Sequence, residues 1–407
     1  MTMTKKRILL VTQNFYPEFF KSNDIASELV ERGCEVDVLT GIPNYPEGVF
    51  YKGYGVFSKR VDDYKGAKVY RAFQIPRGKK ATSIRLSINY LSFVFTSTFW
   101  VLFFFVFKRR YDAIIVHQTS PVTQAWPAIL LGKIKRIPIY TWVLDIWPDS
   151  VLSTINSDNK LIKKPLDWFT DSMYRSSSKI LISSPGFKDL VNRNADYSGK
   201  IIDFPNWSED IASMPLQKTP LLPKGFTIMM AGNIADGQGI SDVVLAIEEL
   251  KKYPDINWVF VGGGALLQWL KDYVAEHSLG NVYVLGRYPF ECMSAFYSVA
   301  DVMLLTLKRS ICPHLNATIP ARVQSYLSAG KPIVGMAGEG VQALVNDNQC
   351  GLIAPSGDYK SLAKNIMTLY QDRQMIDDMG RKSRTLFEQY YTRGVCIDNL
   401  VKIINKA

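Results

Sequence analysis

The stretch RILLVTQNFYPEFFKSNDIASELVERGCEVDVLT, Arg7 to Thr40, decides the fold. Its first six residues form a short, mostly apolar, branched run, as in a strand buried on both faces of a parallel sheet. Asn23 then reads as the N-cap of a helix over Asp24 to Arg32, stopped by Gly33. Glu35 to Thr40 is the next strand. Strand, helix and strand make a βαβ unit, and the pattern recurs outward from here. Further strands are expected at Lys68–Arg71, Asp112–Val116, Pro138–Val143 and Lys179–Ser183. The alternation restarts at Phe226–Ala231 and continues through Asn257–Val261, Asn281–Leu285, Asp301–Leu305 and Pro332–Met336. This predicts an α/β chain with two Rossmann-like, doubly wound domains. The stretch over 205–222, rich in proline and without periodicity, reads as the linker. The expected division is an N-terminal domain over 1–205, a C-terminal domain over 206–390, and a terminal helix over 391–407 that packs back on the first domain.

The 407 residues exceed one ordinary core and fit two domains. A chain 47% hydrophobic and 21% charged is folded rather than disordered. Its net charge of +11 and pI near 9.2 point to a polyanionic partner, nucleic acid or an anionic membrane surface. There is no basic, Gly-rich or RNA-motif segment, so no nucleic acid is expected. The cations instead flank a greasy stretch, with Arg77, Lys79, Lys80 and Arg85 before it and Lys108, Arg109 and Arg110 after it. Five scattered cysteines without a CxxC indicate a reduced, cytosolic protein. Three distant histidines argue against a zinc site, and no metal is expected. The start, MTMTKKRILLVT, runs straight into a strand, so no signal peptide is expected.

The greasy stretch SFVFTSTFWVLFFFVFKRR, Ser92 to Arg110, holds seven Phe and one Trp. A helix over 86–107 would be about 33 Å long, enough to span a bilayer. The strands on either side, Lys68–Arg71 and Asp112–Val116, belong by pattern to one sheet, which a crossing would divide. Cations at both ends give no orientation either. Arg85, Asn89, Ser92 and Thr96 make a narrow polar stripe that can face the protein. Phe93, Phe99, Trp100, Phe103, Phe104 and Phe107 would then meet lipid, with Lys108, Arg109 and Arg110 at the headgroups. A fully buried core helix is the alternative.

Candidate chemistry gathers where strands end. In the first half these segments carry Asn23, then Asn44 and Tyr45 in TGIPNYPEG, His117 in HQTSPV, and Asp145 and Asp149 in LDIWPDS. In the second half AGNIADGQGI places Gly232, Asn233, Gln238 and Gly239 in a turn that opens a helix. Such a turn can hold phosphate through backbone amides; it is equally an ordinary glycine turn. VGGGALL reads as a tight turn, and neither matches GxGxxG with its distant acid. In TIPARVQSYLSAGKPIVGMAGEG, Thr318 to Gly340, Pro320 starts a helix that Gly330 ends. Lys308, Arg309, Arg322 and Lys331 lie close to it in sequence and suit a pyrophosphate, although each alone reads as a solvated surface charge.

NFYPE, LTGIPNYPEGVFYKGY, DIWPDS and PARVQSYLSAGKPIVG, in this order, resemble family 4 glycosyltransferases over essentially the whole chain. Within that family they are most similar to the WbuB-like branch of L-fucosamine transferases of surface-polysaccharide assembly. The resemblance implies the GT-B fold, two Rossmann-like domains around a central cleft. It implies retaining, metal-independent transfer from a UDP-sugar, with no cofactor beyond that donor substrate. Arg322, Lys308 and the Gly232–Gly239 turn would meet the charge of the departing diphosphate. Asp145 stands where the family often has a histidine near the sugar; a loop or N-cap bond is the alternative. Arg287, Ser325, Glu339 and Gly340 would complete the donor pocket, with a helix-capping role open for Glu339. Asn23, Asn44, Tyr45, His117 and Asp149 would face the acceptor, a polyprenyl-diphosphate-linked saccharide of O-antigen or capsule synthesis. An enzyme working on such a lipid is expected on the cytoplasmic face of the inner membrane, peripheral or monotopic.

This chain also departs from the family. The frequent pair of glutamates eight residues apart is replaced by Ala317 and Ser325. The Arg and Lys of the glycine turn are replaced by Asn233 and Gln238, and the usual Gly-Gly near the N-terminus by FKSND. A GT-B-fold UDP-sugar epimerase, or an inactive membrane-bound assembly scaffold, are the competing readings.

Overall fold

The computed structural model describes residues 6–155, 159–310 and 312–406. The expectation about a leader falls largely on residues outside that set. The chain forms two compact units. One comprises Met1–Ser183, Phe187–Phe204 and Ile397–Ala407, the other Ser184–Gly186 and Pro205–Cys396.

The first unit holds β1 (Arg7–Val11), β2 (Glu35–Gly41), β3 (Val61–Tyr64), β4 (Ala67–Ala72), β5 (Ala113–Gln118), β6 (Ile139–Val143), β7 (Lys179–Ile182) and β8 (Ile201–Asp203). They form one sheet in the order β3-β4-β2-β1-β5-β6-β7-β8, parallel except for the β3–β4 pair. The second unit holds β9 (Phe226–Asn233), β10 (Ile256–Gly263), β11 (Val282–Gly286), β12 (Val302–Thr306), β13 (Ile333–Ala337) and β14 (Gly351–Pro355). Its order is β11-β10-β9-β12-β13-β14, with every pairing parallel. Ile8, Leu9, Leu10 and Val11 are all fully buried, as a strand covered on both faces requires. Every strand expected from sequence is present within a residue or two. The three that sequence does not announce, β3, β8 and β14, all lie at sheet edges, where one side needs no partner and the apolar run shortens.

Asn23 is a correction. The first helix begins three residues earlier than expected, over Lys21–Glu31, with Phe20 at its N-cap. The Asn23 amide serves the preceding loop instead, donating to Glu18 O at 2.7 Å and accepting from Tyr16 N at 3.1 Å.

The greasy stretch is a helix over Ser83–Trp100 that continues as a π turn over Val101–Phe105. It is 23 residues long, and its flanking strands β4 and β5 do lie in one sheet. Its buried residues are Asn89, Phe93, Ser97, Val101 and Phe105. A stripe at every fourth residue drifts by about 40° per step on a 3.6-residue helix. The wider π turn takes up that drift and keeps Val101 and Phe105 inward. The polar stripe faces the protein: Asn89 donates to Ile75 O at 2.6 Å, Ser92 accepts from Ile75 N at 2.9 Å, and Thr96 donates to Phe73 O. Arg85, in the first turn, is exposed instead.

Several residues expected at lipid are placed differently. Phe93 is fully buried, because it lies on the stripe that packs on the sheet. Trp100 and Phe104 are half-buried around Tyr70. Lys108 is drawn inward by Asp37, a nearly buried carboxylate that accepts from its ammonium at 2.8 Å and from Tyr111. A buried charge needs that partner. Phe99, Phe103 and Phe107 are exposed, together with Ile84, Leu91, Phe95 and Leu102; Arg109 and Arg110 are exposed as well.

Candidate active site

In the second unit, β9 lies between β10 and β12, and its last residues set the floor of the site. Gly232 and Gly262 sit side by side in register. A Cβ on Gly262 would stand 1.8 Å from Gly232 O, so only glycine permits this approach. The chain after β9 turns through Gly239, at φ +61, into a helix over Ile240–Glu249. Two bonds tie that turn to the end of β12. Thr306 Oγ1 donates to Gln238 O at 2.6 Å, and Lys308 N donates to Gly237 O at 3.1 Å.

Arg322 opens the helix Arg322–Ser328 and reaches back to the same place. Its Nη2 donates to Thr306 O at 3.0 Å. Its Nη1 is buried and has no hydrogen-bond partner, 3.7 Å from the point where a Gly232 Cβ would stand. A guanidinium pinned at one nitrogen and open at the other, over bare backbone, is arranged for an anion. Gln238 Oε1 is likewise buried without a partner. Lys308 is exposed and paired with Asp236 through both carboxylate oxygens, at 2.9 and 2.8 Å.

The structure therefore brings Arg322, Lys308, Gly232, Gln238 and Gly239 together. Asn233 borders the neighbouring turn, with its Oδ1 2.6 Å from the Cβ position of Gly264, and the Arg287 side chain lies over Gly263. The bare Cα of Gly340 lets the Ala317 backbone approach, and Glu339 beside it is exposed at the start of a four-residue helix. Ser325 is placed elsewhere, with its hydroxyl on Ser208 at 3.1 Å. Lys331 is also separate. It precedes β13, one helix length (about 10 Å) back along the strands from Arg322, and donates to Ser298 O.

In the first unit, most expected acceptor residues are structural supports. Asn44 is fully buried, and its Oδ1 accepts from Arg77 N at 3.1 Å. His117 is buried between the Phe20 and Trp142 rings, and burial lowers its pKa to about 3. Asp145 accepts from the Ser120 and Ser150 hydroxyls, the loop bond named as its alternative role. Asp149 is paired with Arg193 through both oxygens. Tyr45 alone of the set is well exposed.

Sequence reasoning missed Glu18. Its Oε1 accepts from the amides of Asn44 and Tyr45 at 2.7 and 2.6 Å, while its Oε2 is buried without a partner. Burial raises its pKa to about 7, against the lowering effect of those amides and of Arg77. It also missed a buried amide network. Gln13 Nε2 donates to Gln74 Oε1 at 2.8 Å and to Asn89 Oδ1 at 2.9 Å, and Gln13 N donates to Gln124 Oε1 at 2.8 Å. The signal available was polar residues directly after strands, as in QNFYPE. Among the described residues, no group of three or more His, Cys, Asp or Glu is placed to hold a metal.

Residues 216–386 match the family model described as Glycosyl transferases group 1. The second unit carries a group 1 glycosyltransferase domain. That match covers β9 to β14 and every residue around Arg322 described above. The chain is 20% identical over 294 residues to a Pseudomonas aeruginosa protein named as glycosyltransferase WbjE, covering 68% of this chain and 72% of that one. It is 22% identical over 343 residues to the Escherichia coli (strain K12) protein WcaI, named as a colanic acid biosynthesis glycosyl transferase, covering 80% and 81%. Among solved structures, Anabaena HepE in complex with UDP superposes with a TM-score of 0.68 at 14% identity, covering 99% of this chain and all of that one. The fold is GT-B.

Proposed function

We propose that the protein is a retaining, metal-independent glycosyltransferase of bacterial surface-polysaccharide assembly. It moves an N-acetylated deoxyhexosamine such as FucNAc from a UDP-sugar to a polyprenyl-diphosphate-linked saccharide, as in the WbuB-like branch. The observation that carries this reading is Arg322, whose buried, unpartnered Nη1 stands over Gly232 within a group 1 glycosyltransferase domain. HepE, of the same fold, is solved with UDP. Departure of a nucleoside diphosphate builds charge on its phosphates, and fixed donors lower that barrier without reorganising. Arg322 is fixed by Thr306, whereas Lys308 reaches the anion by exchanging Asp236 for phosphate. The exposed aromatic ridge of the Ser83–Phe105 helix would hold the first unit on the cytoplasmic face of the inner membrane, where a lipid-linked acceptor lies.

The test is Arg322→Ala and Arg322→Lys, assayed for UDP affinity by calorimetry and for transfer from a panel of UDP-sugars to lipid-diphosphate saccharides by product mass. Arg322→Ala should weaken UDP by roughly tenfold to a hundredfold, as expected for a lost charge-assisted pair. Wild-type affinity and transfer in that variant would remove Arg322 from the site. An epimerised donor, or UDP binding with no transfer, would favour the epimerase or the scaffold.

A further inference from the structure

The greasy helix has an apolar neighbour. Trp126 opens the helix Trp126–Lys135 and donates its indole N–H to Thr98 at 3.0 Å. Its ring meets Phe169, with centroids 6.3 Å apart. A groove of 600 Å³ runs here between Phe95, Phe99, Leu102 and Trp126. Phe169 belongs to the helix Lys160–Ser176, which buries Thr170, Met173 and Tyr174 and is capped by Asn159. Its first turns point the other way. Leu161 is 82% exposed, Trp168 is 67% exposed, and Ile162 is exposed beside them. Exposed Lys160 and Lys164 alternate with these, and Lys160 to Trp168 contains three lysines against one acid, Asp167. Large apolar side chains set among lysines, on a helix whose Phe169 meets the Trp126 of that groove, fit a surface that is apolar below and anionic above.

We propose that the Lys160–Trp168 stretch is a second membrane contact that, with the Ser83–Phe105 helix, docks the first unit on an anionic lipid surface. Leu161, Ile162 and Trp168 enter the acyl boundary, and Lys160 and Lys164 reach the headgroup phosphates. One interfacial helix leaves a body free to roll about the helix axis. A second contact off that axis stops the roll and fixes which end of the sheet faces along the membrane. This inference rests on the membrane reading of the Ser83–Phe105 helix.

The full-length protein is sedimented with phosphatidylcholine vesicles and with vesicles that also contain phosphatidylglycerol. Three exposed-residue variants are compared: Leu161→Ser/Trp168→Ser, Lys160→Ala/Lys164→Ala, and Phe95→Ser/Phe99→Ser/Phe103→Ser. Each of the first two should lower partitioning onto anionic vesicles about tenfold or more, and the lysine effect should vanish in high salt. If the Phe variant loses binding while both others partition like wild type, the second contact is overturned and the anchor stands. If the wild type binds neither vesicle, the anchor fails and this inference with it. If the Leu161/Trp168 variant turns a wild-type dimer into a monomer by light scattering, with vesicle binding unchanged, the face is a protein interface and the proposal is overturned.

Discussion

Glu18 and His117, in one unit, carry opposite ionisation costs. Burial holds Glu18 near 7 instead of 4.5, so between those values the native state keeps a proton the unfolded chain has lost. Stability therefore falls as pH rises through that window, by about 3 kcal/mol in all. Burial, helped by the charge on Lys21, holds His117 near 3 instead of 6.5, so there the unfolded chain binds a proton the native state refuses. Stability then falls as pH drops. The windows overlap from about 4.5 to 6.5, and the two slopes oppose. Glu18→Gln removes the first slope. Thermal unfolding of that variant should show stability rising steadily with pH to about 6.5, without the wild type's loss on approach to neutrality. Identical pH profiles for the two proteins would mean that Glu18 is not buried in this way. His117 stood out in the sequence because histidine is rare here; Glu18 did not, because one glutamate among 37 acids gives no sign of burial.

At the scale of elements, the greasy helix is held by polar bonds on its inner face and left apolar on its outer face. This reverses the usual amphipathic arrangement. Asn89 anchors it through Gln13 and Ile75 at the carboxyl end of β1 and the segment after β4. Asn89→Leu would leave Ile75 O without that donor and Gln13 with one acceptor fewer. Such losses cost about 1–3 kcal/mol each, so chemical denaturation should show a stability loss of at least that size, read as a lower midpoint with the m-value unchanged. A midpoint equal to wild type would mean that water replaces the amide at no cost. The stripe of Asn89, Ser92 and Thr96 was legible because three polar residues stand out among phenylalanines. Which phenylalanines face outward was not: Phe93 packs on the sheet well before the π turn begins, the π turn re-aims the last five residues, and no local pattern announces either.

At the scale of the whole molecule, the chain leaves the first unit at Phe204 and returns to it at Ile397. Ile397, Leu400, Val401 and Ile404 are buried there; Lys6 donates to Ile404 O at 3.1 Å, and Arg32 bonds Asp398 at 2.9 Å. Truncation after Cys396 would expose four aliphatic side chains' worth of surface, on the order of 5 kcal/mol. Hydrogen exchange should then rise in β1, β2 and the Lys21–Glu31 helix and stay unchanged across β9–β14; equal protection in both units would show that the tail contributes nothing. The sequence by itself determined the two Rossmann-like units and their interior strands, because buried parallel strands must be continuous apolar runs. It also determined that a bilayer crossing would break a sheet, and it pointed to the glycine turn by its place after a strand and to Arg322 by its place near the start of a helix. Only the tertiary structure decided which polar groups are left open and which are consumed. Asp145, Asp149, Ser325, Lys108 and Asn23 each look available in the chain, yet each meets a partner far along it or in a neighbouring loop. A side chain's partner is set by where the fold brings distant strands and loops together, which local pattern does not encode.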